Sequence, residues 1–249
     1  MAPGLHRTAG MRTLNRTTHV LGVLIAVAAL LALLAPVAAA DPADDRILPV
    51  DQYTSDKARG LAERHARALR ELNASVYHCL PWLEVQRQSI GFFRPKGATQ
   101  DDRYLSMRVY VEQDPSPQFA QLTLQERASA MFSRYAGPLL RRMAADPALR
   151  ADNALDGFTL ILEWLKQVPR AAGERPVHET IAIFVTKPAA LEYLHGRVPV
   201  GQLARWARVL AWDGEQAVGP IRLTAWEDDF VATYKVANYQ LAPGVSCPR

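Results

Sequence analysis

The chain of 249 residues has none of the short motifs that mark several common classes of enzyme. It contains no GxSxG nucleophile elbow, no P-loop, no GxGxxG fingerprint after a predicted strand, no HExxH pair and no CxxC cluster. These absences argue against serine hydrolases, nucleoside triphosphatases, dinucleotide-dependent enzymes and structural zinc sites. We therefore expect no intrinsic cofactor.

Lysine is also scarce, and the charges of the chain nearly cancel. There are 29 basic and 25 acidic residues, and the first 40 residues hold three of the basic ones and none of the acidic ones. The remainder has a net charge close to zero and lacks the concentrated basic face that nucleic-acid binding requires. We expect no nucleic-acid partner, and we attribute the excess of arginine over lysine to a GC-rich bacterial genome rather than to phosphate recognition.

The first 40 residues have the parts of a Sec-type signal peptide. They comprise a basic leader, an apolar run, a helix-breaking proline and a small-residue triplet: Arg7, Arg12 and Arg16, then Val20–Leu34, Pro36 and Ala38–Ala40. This order predicts cleavage after Ala40 and export to the periplasm or the cell exterior. The alternative is an uncleaved anchor, because the run extended to Ala40 approaches the ~20 residues that span a membrane. Met11 opens a complete leader as well, so translation starts at Met1 or Met11.

Behind the leader, we predict a flexible polar lead over residues 41–54 and a single domain over residues 55–249. Cys79 and Cys247 are the two cysteines of the chain. In an oxidising compartment an even number of cysteines predicts a disulfide, which would stabilise the fold by at most roughly 5 kcal/mol in the chain-entropy model. The alternative is a pair of buried thiols.

Hydrophobic periodicity alternates between helices and pairs of strands. We predict helices over residues 55–76, 123–143, 189–195 and 200–212, and strand pairs over residues 84–94 with 104–113, 158–167 with 177–187, and 221–226 with 230–239. Hairpins separated by helices favour an α+β fold with a mainly antiparallel sheet and helices packed on one face. A parallel βαβ arrangement would instead place single strands between helices.

One group of residues has the chemistry of metal ligands, namely His178, Glu192 and His195. Glu192 and His195 are three positions apart on a predicted helix, and imidazole and carboxylate groups bind zinc or iron. Glu179 is also close in sequence, but adjacent strand residues point to opposite faces. We predict no metal site and keep the three residues as candidates only.

Glu163 and Glu84 are the carboxylates best placed for acid–base chemistry. Glu163 lies within the apolar segment FTLILEWLKQ, where burial would raise its pKa. The alternative is that it faces solvent or pairs with Lys166 or an arginine. The acidic segment 227–229 lacks the ligand spacing of a calcium loop, so we expect a solvated turn.

Exposed aromatic side chains are the remaining signal. The chain has five tryptophans, most of which we expect in the core: Trp82, Trp164, Trp206, Trp212 and Trp226. Two or three of them on one exposed face would indicate a surface that binds partners.

These patterns favour an exported, non-catalytic α+β domain that binds a protein or another component of the cell envelope, with no stable membrane span after processing. The alternatives are a secreted hydrolase that uses carboxylates or a metal, and a membrane-tethered assembly factor that keeps its leader. Convergence of Glu163, His178 or His195 would favour the hydrolase, and an exposed apolar or aromatic face would favour the binding domain.

Overall fold

A computed structural model describes residues 44–112, 117–167, 175–225 and 247, all within the compact unit Pro42–Arg249. The protein has an α+β fold in which a seven-stranded sheet is mostly antiparallel. The described strands are β1 (Leu83–Val85), β2 (Gly91–Phe93), β3 (Tyr104–Val111), β4 (Gly157–Gln167), β5 (Val177–Thr186), β6 (Arg208–Asp213) and β7 (Gln216–Ile221). The described α-helices are α1 (Asp56–Arg64), α2 (Ala66–Cys79), α3 (Pro117–Ala120), α4 (Leu124–Met143), α5 (Pro147–Ala151), α6 (Lys187–Leu194) and α7 (Val200–Trp206).

The strands follow the spatial order β1-β3-β4-β5-β6-β7, and β2 pairs with β3 beyond the end of β1. The predicted antiparallel pairing of residues 158–167 with 177–187 is present as β4 with β5. Among the described strands, the one exception to antiparallel pairing is β3 with β4, which are parallel. Helices α3, α4 and α5 lie between these two strands in the chain, and such a crossover is what a parallel pair requires.

The N-terminal part of the domain departs from the prediction in two places. The predicted helix over residues 55–76 is divided at His65 into α1 and α2, and the Ser55 side chain caps the start of α1. For the segment 41–54, predicted to be a flexible lead, the described part packs on the domain. There Leu48 N donates to Ile90 O, and the Tyr53 side chain is buried and accepts a hydrogen bond from Phe92 N.

One strand prediction and one helix prediction were wrong, and the last predicted hairpin is not present in its described part. The strand predicted over residues 84–94 is two short strands, because Gln88 adopts a left-handed backbone with φ of 52° and turns the chain between β1 and β2. The helix predicted over residues 200–212 ends at Trp206, and β6 begins at Arg208. The segment from Val209 onward alternates buried and half-buried residues and pairs with β5. Of the last predicted hairpin, Ile221 ends β7, residues 222–225 form no strand, and residues 226–239 lie outside the described residues.

The core contains alternate residues of the central strands. In this cluster are Leu105, Met107, Val109 and Val111 of β3, Phe158, Leu160, Leu162 and Trp164 of β4, and Ile181, Ile183 and Val185 of β5. Buried residues of the helices belong to the same cluster, for example Leu61, Phe132 and Leu203. The intervening strand residues are outside it, as expected when successive side chains point to opposite faces.

The disulfide predicted from the cysteine count is present. Cys79 at the end of α2 is bonded to Cys247, and their Cα atoms are 5.7 Å apart. Among the described residues, no helix is both long enough and apolar enough to cross a membrane.

Candidate functional site

The side of the sheet that faces away from the core cluster carries most of the residues with functional chemistry. We call it the second face, and on β3 to β6 it comprises Ser106, Arg108, Tyr110, Thr159, Ile161, Glu163, Leu165, His178, Thr180, Ala182, Phe184, Arg208, Leu210 and Trp212. Most of these side chains are half-buried or exposed. Strand register places Tyr110, Glu163, Thr180 and Trp212 in one row across four strands.

Glu163 is the centre of a polar cluster on this face. Its Oε2 accepts two hydrogen bonds from Arg108, at 3.1 Å from Nε and 2.6 Å from Nη2. Its Oε1 lies 3.7 Å from His178 Nδ1, and the His178 ring meets the Tyr110 ring edge-on with centroids 5.4 Å apart. The sequence left open whether Glu163 is buried in an apolar environment or instead faces solvent or pairs with a basic residue. The structure shows pairing with an arginine. The four side chains come from three adjacent strands, so the backbone hydrogen bonds of the sheet hold them in place.

The loop between β2 and β3, residues 94–103, lies against β6 at the side of this face. The Lys96 carbonyl accepts a hydrogen bond from Arg208 Nη2 at 2.5 Å. The Lys96 ammonium lies 5.5 Å from the Trp212 ring centre, and the Arg208 guanidinium lies 4.4 Å from the Phe184 ring centre. Both are within the range of cation–π attraction. Since β6 is the third strand from β3, the loop spans roughly 14 Å of the sheet.

Polar contacts anchor the other end of this loop. Asp101 accepts a hydrogen bond from Ser55 Oγ and forms an ion pair with Arg103. Both contacts lower the pKa of this exposed carboxyl group. Asp156 accepts a hydrogen bond from the Arg103 backbone N–H at 2.6 Å and pairs with Lys57 at 2.6 Å. The loop is thus attached to α1 at one end and to β6 at its tip.

Glu179 lies on the core side of the sheet, as its position next to His178 requires. It is fully buried, and its two oxygens are 2.5 and 2.7 Å from the Arg127 guanidinium. Trp164 Nε1 donates to it at 3.0 Å, and Lys166 lies 3.9 Å away. Every oxygen has a donor in the protein, so this cluster has the character of a structural ion pair rather than of a reactive carboxylate.

The three metal-ligand candidates are not brought together. His178 is near the start of β5, whereas Glu192 and His195 follow the end of that strand, so the strand separates them by roughly 25 Å. Glu192 instead pairs with Arg197 at 2.8 Å, which lowers the pKa of its carboxyl group. Among the described residues, no three His, Cys, Asp or Glu side chains lie close enough to hold a metal ion.

The other sequence candidates have separate locations. Glu84 is exposed on β1, opposite Tyr110, and lies 3.7 Å from Arg46. Of the tryptophans, Trp164 is buried, Trp82 and Trp212 are half-buried, and Trp206 is 46% exposed on α7. Trp226 and the acidic segment 227–229 lie outside the described residues.

Arg108, Tyr110 and Lys96 are site residues that the sequence did not identify. Arg108 and Tyr110 alternate with buried residues in β3, which predicted their face but not their partners. Lys96 is distant in sequence from β6 and gave no signal. No known protein family, curated protein or solved structure matches the chain.

Proposed function

We propose that this protein is an exported, disulfide-linked domain that binds a protein of the cell envelope through the second face of its sheet, with the helices confined to the opposite face. The main support is the composition of the second face. Half-buried aromatic and aliphatic residues, such as Trp212, Leu210 and Ile161, lie outside the core cluster and beside the Arg108–Glu163–His178 group. Amphipathic aromatics and arginine next to apolar area are typical of surfaces that bind proteins.

The rigidity of this surface supports binding further. Tyr110, Glu163 and Trp212 project from paired strands and already contact neighbouring side chains. A partner that docks here would immobilise few additional rotamers, so less of the contact energy would be lost to conformational entropy.

Paired aromatic substitutions test this proposal. The double variant Tyr110→Ala/Trp212→Ala removes two rings from the second face. The matched control Tyr77→Ala/Trp206→Ala removes two helix aromatics that are 47% and 46% exposed. After chemical cross-linking in cells, we expect wild-type protein and the control variant to give a cross-linked complex with the partner. The Tyr110→Ala/Trp212→Ala variant should not give this complex. Loss in the control alone, with both variants folded, would contradict the proposal.

A hydrolase is the second candidate because His178 and Glu163 converge, with the Thr180 hydroxyl group on the same face. In such an enzyme, Glu163 would orient His178 as a general base. Against this, Arg108 already binds Glu163 Oε2. The test is hydrolysis of a panel of esters and amides by the wild type and by His178→Asn and Glu163→Gln. Activity that both substitutions abolish would establish the hydrolase, and a hydrolysis rate that neither substitution changes would exclude it.

Export is the remaining part of the proposal. A disulfide between Cys79 and Cys247 fits an oxidising compartment. The mass of the protein recovered from cells tests this directly. A chain that begins at Asp41 and lacks two hydrogens would support export with cleavage, whereas a retained leader would favour the membrane-tethered assembly factor.

A further inference from the structure

The charges of the second face are unevenly distributed. Lys96 and Arg208, on the β6 side, are exposed cations that contact aromatic rings rather than carboxylates. Within the part of the chain that the structure describes, neither has an acidic partner within 4.0 Å. By contrast, Arg108 on β3 is neutralised by Glu163.

Both cationic side chains lie over aromatic rings of the second face, and the two residues touch through the Lys96 backbone. Arg208 Nη2 donates to the Lys96 carbonyl oxygen, so the two residues are in direct contact although 112 positions apart in the chain. Two positive charges on the same side of the sheet, neither of them paired with a described carboxylate, attract an anion more strongly than either does alone. The pair is therefore suited to receive a carboxylate or another anionic group.

From this arrangement we infer that the segment recognised by the second face is acidic and apolar, with its acidic side chains docked on Lys96 and Arg208. This inference rests on the proposed function and specifies the chemistry of the partner. The apolar part of such a segment would pack on Leu210, Ile161 and Trp212, which lie on the same face.

A uniformly anionic polymer fits the same surface less well. The second face also carries Glu163 at its centre, and Glu84 lies opposite Tyr110 at the far side. Evenly spaced negative charges that crossed the sheet from β6 to β1 would meet both carboxylates, and like charges in contact disfavour a partner. A peptide that confines its acidic residues to one end avoids this repulsion.

Selection of displayed random peptides on the full chain recovered after export tests the inference. We expect enriched peptides to contain Glu or Asp next to apolar residues and to lose affinity as NaCl rises from about 0.05 to about 0.5 M, because exposed charges are screened. The variant Lys96→Gln/Arg208→Gln should bind the best peptide about tenfold more weakly. The control Arg67→Gln/Arg205→Gln removes two exposed helix cations and should bind it unchanged.

The outcomes separate this inference from the function on which it rests. Enriched peptides that are neutral or basic, but that still require Tyr110 and Trp212, would overturn the acidic partner and leave the proposed function intact. Peptides that bind the Tyr110→Ala/Trp212→Ala variant equally well would contradict the proposed function itself. A third outcome is that no peptide is enriched and inorganic polyphosphate binds with the same dependence on Lys96 and Arg208. This result would overturn the peptide as the inferred partner and indicate a polyanion instead.

Discussion

Trp164 and Glu179 lie directly opposite each other on β4 and β5, and the indole Nε1 donates to the Glu179 carboxylate at 3.0 Å within the core. Arg127 of α4 approaches the same carboxylate from the helix side. This buried group joins the centre of the sheet to the longest described helix. Its environment leaves Glu179 no access to a substrate and assigns it to stability.

We expect Glu179→Ala to lower the free energy of unfolding by about 3–5 kcal/mol, because it leaves the Arg127 guanidinium buried without a carboxylate. Glu179→Gln should cost less, since its amide oxygen still accepts from Trp164. The exposed pair Arg67–Glu71 provides the control, and Glu71→Ala should cost about 0.5 kcal/mol or less. Urea unfolding measures all three variants, and equal losses for Glu179→Ala and Glu71→Ala would contradict the structural role.

Gly157, at the start of β4, is expected to tolerate no side chain. A Cβ atom there would lie 2.5 Å from the Val185 carbonyl oxygen and 2.6 Å from the Tyr104 ring. Gly157→Ala should therefore cost about 1–3 kcal/mol through overpacking at a paired strand. In the control Gly60→Ala, the nearest atom is the flexible end of Arg64 at 3.1 Å, so alanine should be neutral or stabilising in the helix. Thermal unfolding distinguishes the two, and a Gly157→Ala variant as stable as wild type would refute the steric argument.

The disulfide should make a large contribution to stability because it joins residues separated by 168 positions. We expect Cys79→Ser/Cys247→Ser to lose about 2–5 kcal/mol. Unfolding of the wild type in reductant should give a similar shift in the urea midpoint. An unchanged midpoint in both experiments would show that the bond does not constrain the unfolded chain.

Asp152 predicts a specific dependence of stability on pH. Burial alone would raise the pKa of this carboxyl group, but hydrogen bonds from His65, the Ala154 N–H and Arg64 hold its pKa well below the ordinary value of 3.8. A lowered pKa in the folded state contributes stability that is complete well above pH 3.8 and is lost as the pH falls below it.

Asp152→Asn should therefore destabilise the protein at neutral pH and flatten the loss of stability below about pH 4. The matched control is Asp51→Asn, which removes a solvent-exposed carboxyl group. The measurement is the free energy of unfolding from pH 7 to pH 2. If the free energy of unfolding of Asp152→Asn fell with decreasing pH as steeply as that of the wild type, the assigned hydrogen bonds would be contradicted.

Features that depend on local sequence could be predicted. The Thr123–Glu126 capping box is present at the start of α4, because both of its hydrogen bonds form within one turn. The pairing of β4 with β5 could be predicted because two apolar segments rich in β-branched residues are joined by a link that contains proline and glycine. The even number of cysteines, together with the predicted export, predicted the disulfide.

Features that depend on tertiary pairing could not be predicted. Leu203, Trp206, Ala207 and Leu210 have helical spacing, yet β5 offers Val209–Asp213 an open edge, and sheet pairing overrides the helical pattern beyond Trp206. The contact of Arg108 with Glu163 depends on the parallel pairing of β3 with β4. The contact of Lys96 with Trp212 depends on where a long loop returns to the sheet.

Site-specific photo-cross-linking tests the central claim most directly. A benzophenone amino acid replaces Arg108, exposed on the second face, or Arg70, exposed on α2, in protein expressed with its own leader. We expect benzophenone at position 108 to give an adduct of discrete mass, and benzophenone at position 70 to give none. Excess wild-type protein should suppress the adduct at position 108 by competing for the partner, whereas excess Tyr110→Ala/Trp212→Ala variant should not. A discrete adduct from Arg70 but none from Arg108 would show that the partner binds the helices and not the second face of the sheet.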